Sequence, residues 1–314
     1  MIQELNLCLV NTCNANCIFC PVRSYNHVLK FMSMELVEEI IRQVQSEEFR
    51  TNHNLLNMNI GENGEATLHP HLVEILERLR TLGCQMNLFT NFSNLTMDKS
   101  LKIVMWKLVD SVHTNIDGEH EDYELTKGLS YETFLVNLTS FLRCKHEMEW
   151  ATDKIPVHAH VVSAENYRRA AKRHFGEEPS KLPVGFDSHV FKSSARGVKE
   201  KFEQMEGIAG VAIDDCLMWA ERPFRTFRKE GNYSCPIIGR VETNVFINPN
   251  GDWYICCFDS GNEVVLGNIW ENSIHSIYSS ERRADIIRAL KEKRFDDIGL
   301  PCSKVDCCQV INPN

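Results

Sequence analysis

Short apolar runs alternate with amphipathic stretches over the first two-thirds of this chain. The runs predict strands at Glu4–Val10, Leu55–Ile60, Gln85–Thr90, Val109–Ile116, Ile155–Val162 and Leu182–Phe191. Between them, helical spacing predicts Met34–Gln45, Leu72–Leu82, Lys99–Lys107, Tyr131–Arg143 and Asn166–Arg173. Met34–Gln45 sets Leu36, Ile40 and Val44 on one stripe and Glu38, Glu39 and Arg42 opposite, as a surface helix requires. Gly83 stands where a helix C-cap glycine belongs. Strands and helices in series imply parallel strands with right-handed crossovers, hence an α/β fold, barrel-like or doubly wound. The alternation breaks after about Phe191. Beyond it come a mixed, mostly polar segment, a hairpin (Val241–Ile247, the turn Asn248-Pro249-Asn250-Gly251, Trp253–Phe258), a helix at Ser280–Lys293 and a cysteine-rich tail.

At 314 residues the chain has room for one large or two ordinary domains. Its formal charge of −9 argues against a general nucleic-acid or membrane-surface binder, which would carry a basic face. No apolar run approaches the ~20 residues that span a bilayer, and Met1-Ile2-Gln3-Glu4 begins no basic, apolar signal segment. A cytoplasmic protein is expected. Cysteine changes the picture: there are 13, an odd and high count. A reducing compartment keeps thiols free, so metal ligation explains them better than a disulfide scaffold.

Cys13-Asn14-Ala15-Asn16-Cys17-Ile18-Phe19-Cys20 follows the first strand, at the strand end where α/β folds gather ligands. Three soft thiolates in eight residues suit iron–sulfur or zinc. A 4Fe–4S cluster held by three cysteines leaves one iron open, whereas a structural zinc would want a fourth ligand, for which His27 is the local candidate. The C-x3-C-x2-C spacing, with Phe19 before the last cysteine, resembles the signature of the radical S-adenosylmethionine (radical SAM) superfamily. The resemblance implies that the open iron chelates S-adenosylmethionine (AdoMet). An electron from the cluster then yields a 5′-deoxyadenosyl radical that abstracts hydrogen from a C–H bond.

Further stretches resemble the family's motifs at successive strand ends. Gly61-Glu62-Asn63-Gly64-Glu65-Ala66 is similar to the Gly-Gly-Glu-Pro motif that binds the methionyl amine, with Asn63 in place of the first glycine and Ala66 in place of the proline. Gly64 and Glu65 are the implied AdoMet residues there. Thr90-Asn91 resembles Thr-Asn-Gly, with Phe92 replacing the glycine. Asn115-Ile116-Asp117-Gly118 resembles the Ser-x-Asp-Gly stretch near ribose and the methionine carboxylate, and Val161-Val162 with Asn166 matches the part that covers adenine.

Six more cysteines, Cys235, Cys256, Cys257, Cys302, Cys307 and Cys308, lie beyond the barrel region. Gly251–Asp259, Leu266–Ile269 and Ser273–Ile277 resemble the auxiliary-cluster extension of radical SAM enzymes, either a full SPASM domain with two clusters or a shortened twitch domain with one. Six cysteines suffice for one 4Fe–4S cluster and not for two fully cysteine-ligated ones, which favours the twitch form. The implied ligands are Cys235, one of Cys256 and Cys257, Cys302, and one of Cys307 and Cys308. Cys256 is preferred because it falls five residues after the turn glycine, and adjacent strand residues point to opposite faces. Cys307 is taken from the last pair. A structural zinc site is the alternative.

Cys8, Cys84 and Cys144 read as small buried hydrophobes. Cys216, between the two regions, is a candidate hydrogen-atom donor of the kind used by radical SAM epimerases. The basic stretch Trp219–Lys229 is a candidate for holding a phosphate or carboxylate, against the plainer reading of a solvated face. The expected architecture is a partial (β/α)6 TIM-type barrel over residues 1–200, a connecting segment at 201–234, and a small twitch-like α+β extension at 235–314 holding an iron–sulfur cluster. The expected function is dehydrogenation at a C–H bond of a small polar or carbohydrate-like substrate, with the auxiliary 4Fe–4S cluster accepting an electron. The alternatives are a redox-neutral epimerase using Cys216, and modification of a ribosomal peptide, which is weakened because the first strand starts almost at Met1. An external one-electron reductant of the flavodoxin or ferredoxin type is implied, with neither nucleic acid nor membrane as partner.

Overall fold

The computed structural model describes residues 1–17, 20, 22, 28–148, 155–161, 192–213, 233–235, 237–299, 301–304 and 309–310. Strand β1 (Glu4–Leu7) is followed by α1 (Met34–Gln45) and α2 (Glu47–Asn52), then β2 (Asn57–Ile60), α3 (Leu72–Arg80), β3 (Gln85–Phe89), α4 (Met97–Met105) and β4 (Ser111–Asn115). Next come α5 (Glu121–Lys127), α6 (Tyr131–Glu147), β5 (Val157–Val161), α7 (Ala195–Glu203) and β6 (Ile208–Ile213). The six strands pair in parallel and in order, as an alternating β/α chain must. The expected strand Leu182–Phe191 and helix Asn166–Arg173 fall outside the described residues. The sixth parallel strand of the described sheet is β6, past the expected barrel limit at residue 200. Its run Ile208-Ala209-Gly210-Val211-Ala212-Ile213 is short and small-sided, which hid it within a polar stretch.

The C-terminal part does not stand apart from this sheet. After β7 (Tyr233–Ser234) and α8 (Ile238–Thr243), β8 (Asn244–Ile247) pairs with β1 in parallel. Strands β9 (Asp252–Tyr254) and β10 (Val265–Asn268) then add antiparallel pairs outside it, so the described strands make one open sheet of nine. Helices α9 (Ile274–Tyr278) and α10 (Glu281–Lys291) follow, and β11 (Gln309–Val310) returns to pair with β7, beside Cys235. No helix among the described residues is long and apolar enough to cross a membrane.

Each face of the sheet has its own chemistry. On the outer face Leu5, Leu7, Met58, Ile60, Met86, Leu88, Val112, Val157 and Val161 are buried in one core with the apolar stripes of α1, α3, α4 and α6. Serine caps start α1 and α6 where the backbone has orphan N–H groups: Ser33 Oγ accepts from Leu36 N at 3.2 Å, and Ser130 Oγ from Thr133 N at 3.2 Å. The inner face is polar. The register sets Asn6 beside Asn59, Asn59 beside Asn87, and Asn87 beside Ser111. Asn6 Nδ2 donates to the Val245 carbonyl at 3.2 Å, Asn59 Nδ2 to Asn6 Oδ1 at 2.8 Å, and Asn87 Nδ2 to Asn59 Oδ1 at 2.9 Å. Ser111 Oγ donates to Asn87 Oδ1 at 2.7 Å and stands 3.0 Å from His113 Nε2. This ladder satisfies buried amides that would otherwise destabilise the sheet. Asn59→Leu leaves Asn6 Oδ1 and Asn87 Nδ2 without these partners, so urea titration should show a loss of about 2–4 kcal/mol. An unchanged midpoint would mean that the ladder contributes nothing to stability.

Candidate active site

The cysteine loop is an excursion between β1 and α1, closed at its base by a bridge between Val10 and Phe31. Met32 N donates to the Leu9 carbonyl at 2.8 Å, and Asn11 Oδ1 accepts from Lys30 N at 2.8 Å. The loop after β2 presses on this base. A Cβ on Gly64 would stand 1.8 Å from the Val10 carbonyl oxygen, so only glycine fits, and Glu65 N donates to the Thr12 carbonyl at 3.0 Å.

Glu65, Thr90 and Asn91 come together as a hydrogen-bonded unit. Glu65 Oε1 accepts from Thr67 N at 3.0 Å, Thr67 Oγ1 at 2.5 Å and Thr90 Oγ1 at 2.8 Å, and its Oε2 accepts from Asn91 N at 2.7 Å. Asn91 Nδ2 reaches Asn14 Oδ1 at 3.0 Å and Cys13 Sγ at 3.6 Å. The AdoMet-motif carboxylate and the first cysteine are thus two hydrogen bonds apart. The two departures from the family's glycines keep the glycine backbone: Asn63 has φ 58° and Phe92 φ 60°. Asparagine tolerates this left-handed region, and Phe92 is held there by its buried ring, edge-on to Phe134 and Phe141.

Asp117 is buried and paired with Lys127 Nζ at 2.7 Å. Lys127 also hydrogen-bonds Cys17, and its carbonyl accepts from Asn16 N at 2.6 Å. Burial alone would push the Lys127 ammonium down, but Asp117 and Cys17 turn the balance upward and hold it charged. Sequence reading missed Lys127, because a lysine in the last turn of a helix is ordinarily a solvated cap. Asn115 lies on the inner face, half-buried, opposite His160. Burial pushes Cys13 up to about 12, aided by Glu65 and Cys17, and pushes Cys20 up to about 12, aided by Cys17. Cys17 is raised by burial against the pull of Lys127. Among the described residues no three His, Cys, Asp or Glu side chains are gathered tightly enough for one metal ion. Cubane ligands each bind a different iron and stand farther apart than the ligands of a single ion.

The second cysteine group is brought together by an apolar cluster. Cys256, Cys257 and Cys302 are buried in it with Val241, Phe246, Tyr254 and Phe295, and Cys235 packs against it. Cys256 and Cys257 follow β9 rather than lying in it, so strand alternation does not separate them. Asp259 fixes their turn: its N donates to the Cys256 carbonyl at 3.0 Å, and its carboxylate accepts from Glu263 N and Val264 N at 2.9 Å each. Arg240 Nη1 stands 3.9 Å from Cys257 Sγ, and its Nη2 lies 3.7 Å from Glu62 and 3.3 Å from Glu4. Asn63 Nδ2 donates to Tyr254 Oη at 3.2 Å, and Asn63 Oδ1 accepts from Ser260 Oγ at 3.0 Å. The extension is therefore tied directly to the Gly61–Glu65 loop. Cys8, Cys84 and Cys144 are buried. Phe19, Val162, Cys216 and Cys307, with Cys308, His27 and Trp219–Lys229, lie outside the described residues.

Residues 7–144 match the radical SAM superfamily model, and residues 235–308 match SPASM, an iron-sulfur cluster-binding domain. No curated protein matches the chain by sequence. Among solved structures, BtrN in complex with AdoMet and 2-DOIA is similar in fold, with 14% identity over 99% of this chain and 94% of that one and a TM-score of 0.57. Streptococcus suis SuiB bound to precursor peptide SuiA gives 14% identity over 91% and 67%, with a TM-score of 0.57. The anSMEcpe structure with bound AdoMet gives 16% identity over 92% and 81%, with a TM-score of 0.54. The matched domains imply a 4Fe–4S cluster with AdoMet and further iron–sulfur binding. The donor sets fit those groups: thiols in one glycine-cradled loop beside a buried ammonium, and four cysteines in one apolar cluster.

Glu62 offers a test of the junction. Its Oε2 is buried without a hydrogen-bond partner, and burial raises the carboxyl to about 7 against the pull of Arg240. A raised carboxyl stabilises the fold below its unfolded pKa and loses that contribution as pH rises through the folded value. Glu62→Gln should therefore gain stability over wild type progressively from about pH 5 to about pH 8, by up to about 3 kcal/mol, in urea titrations at each pH. A pH-independent difference would contradict this.

Proposed function

From the premise that this chain belongs to the radical SAM superfamily and carries its SPASM-type extension, we propose that it dehydrogenates a small polar, carbohydrate-like substrate at a C–H-bearing carbon. The observation that carries the reading is the contact between the Gly61–Glu65 loop, which is seated on the first cysteine loop, and the extension that carries the second cysteine group. Asn63 and Glu62 of the AdoMet-motif loop touch Tyr254, Ser260 and Arg240, and Arg240 in turn reaches Cys257. Once bound, the groups supply a 5′-deoxyadenosyl radical to take a hydrogen atom and an acceptor for the electron released when the substrate is oxidised.

The chain's own part is to bind, orient and exclude water. Cys13, Cys17 and Cys20 are the proposed ligands of the first cluster, and Asn91 and Lys127 hold hydrogen atoms toward Cys13 and Cys17. Glu65, which Thr90 and the Asn91 amide brace, is proposed for the methionyl ammonium; a carboxylate oxygen accepts more than the one bond Oε2 has from Asn91. Asp117, paired with Lys127, is proposed to face the ribose and methionine carboxylate, as the motif resemblance implies. For the auxiliary cluster, Cys235, Cys302 and one of Cys307 and Cys308 are proposed. Cys256 is a candidate by its distance from the turn glycine, and Cys257 by the guanidinium that would favour its thiolate.

Enzyme reconstituted without oxygen and given dithionite and AdoMet should release 5′-deoxyadenosine, and Cys13→Ala should bring that release to background. The oxidised product should lack two hydrogens and carry no carbon-bound deuterium from D2O. Deuterium incorporated by wild type and lost in Cys216→Ala would instead mark a redox-neutral epimerase.

A further inference from the structure

The inner face of the sheet carries a group of rings that none of the site residues above explains. The register sets Phe89 beside His113, His113 beside His158 and His158 beside Gly210, and one step on sets Asn115 beside His160 and His160 beside Ala212. The rings stack: Phe89 on His113 at 4.6 Å between centroids and 16°, His158 on His113 at 5.0 Å and 27°, His160 on His113 at 5.9 Å and 28°. Gly210 and Ala212 are small and leave space in front of the rings. A Cβ built on Gly210 would meet nothing within 4 Å. A cavity of about 450 Å³ opens there, lined by His113, His158, His160 and Gly210 and by Lys199 and Glu203, which pair with each other at 2.6 Å. That volume lies within the about 300–1,000 Å³ range of small-molecule sites.

We propose that this wall of His113, His158 and His160 is the subsite that holds a neutral, ring-shaped polyol, such as a cyclitol or pyranose, as the substrate of the dehydrogenation; the assignment rests on that reading. Among the described residues, β3 to β6 present Asn87, Phe89, Ser111, His113, Asn115, His158 and His160 to this face and no charged side chain. The one cation among the described lining residues, Lys199, is already paired with Glu203 and donates to the Val211 carbonyl, so the described lining offers a substrate anion no unpaired cation. Burial lowers His113 to about 4, with His158 and His160 adding to the effect, and burial also lowers His158. A neutral imidazole has one donor and one acceptor nitrogen, the pair that a hydroxyl group meets. Flat ring faces suit the C–H faces of a saturated ring. His113 is fixed by Ser111 at the end of the asparagine ladder, so the wall is held in place by the sheet itself. His160 stands opposite Asn115, two residues before Asp117, so a ring held here would lie on the side of the proposed AdoMet residues.

The test is isothermal titration of the cluster-loaded enzyme with AdoMet present, using myo-inositol, D-glucose, D-glucuronate and D-glucose 6-phosphate as probes. At least one neutral probe should bind, and both anions at least about tenfold more weakly. The double variant His158→Phe, His160→Phe keeps the stacked faces and loses the polar nitrogens, so neutral binding should fall at least about tenfold. His158→Gln, His160→Gln keeps donors and acceptors and should bind more tightly than the phenylalanine pair. Absence of neutral binding, equal binding of the anions, or phenylalanine variants equal to wild type would overturn the assignment. Wild-type release of 5′-deoxyadenosine, measured alongside, separates the two readings. Release without polyol binding overturns the wall alone; polyol binding without release overturns the radical chemistry and leaves the wall standing.

Discussion

The site depends on one close approach, the Gly64 backbone against the Val10 carbonyl, where a Cβ would stand 1.8 Å from oxygen. No side chain is tolerated at that contact, so the loop after β2 is seated directly on the chain that leads to Cys13. Glu65 then follows with its N–H on Thr12 and its carboxylate on Thr90 and Asn91, and Asn91 closes the path to Cys13. The loops after β1, β2 and β3 are thus fixed relative to one another by these hydrogen bonds. Pre-organisation of this kind is what radical chemistry needs from a protein, since the reactive species tolerates little misplacement.

The same loop carries the second contact on which function rests. Asn63 occupies a left-handed backbone position that glycine would ordinarily take, and its side chain ties Tyr254 and Ser260 to the loop. Glycine would keep the turn and lose the tie. Because β8 continues the sheet beside β1, the extension shares the rigid frame of the first cysteine loop instead of hanging from a linker. Both cysteine groups are therefore held by one sheet, with Arg240 and Glu62 between them.

Much of this was legible in the sequence for physical reasons. Met34–Gln45 was readable because an apolar stripe marks its buried face. The cysteine spacing was readable because thiolates at those intervals have few other uses. The sixth strand was not, since Ile208–Ile213 is built of small residues in a polar stretch and gains its identity from pairing with β5. Strand alternation does not bear on the Cys256 and Cys257 pair, because the chain leaves β9 before reaching them. Lys127 and Arg240 belong to no motif in the sequence; the fold buries the first beside Cys17 and sets the second against Cys257. The histidine wall carries no motif, and its residues meet only through register between β4 and β5.

Each of the two cysteine groups on this sheet is proposed to hold an iron–sulfur cluster. Iron and acid-labile sulfide counted in anaerobically reconstituted wild type, and in a variant with Cys13, Cys17 and Cys20 all changed to alanine, tests it most directly. About eight of each per wild-type chain and about four of each in the variant are expected, with the remaining iron in the extension. Four iron with one zinc in wild type, or a variant that retains no iron, would contradict it.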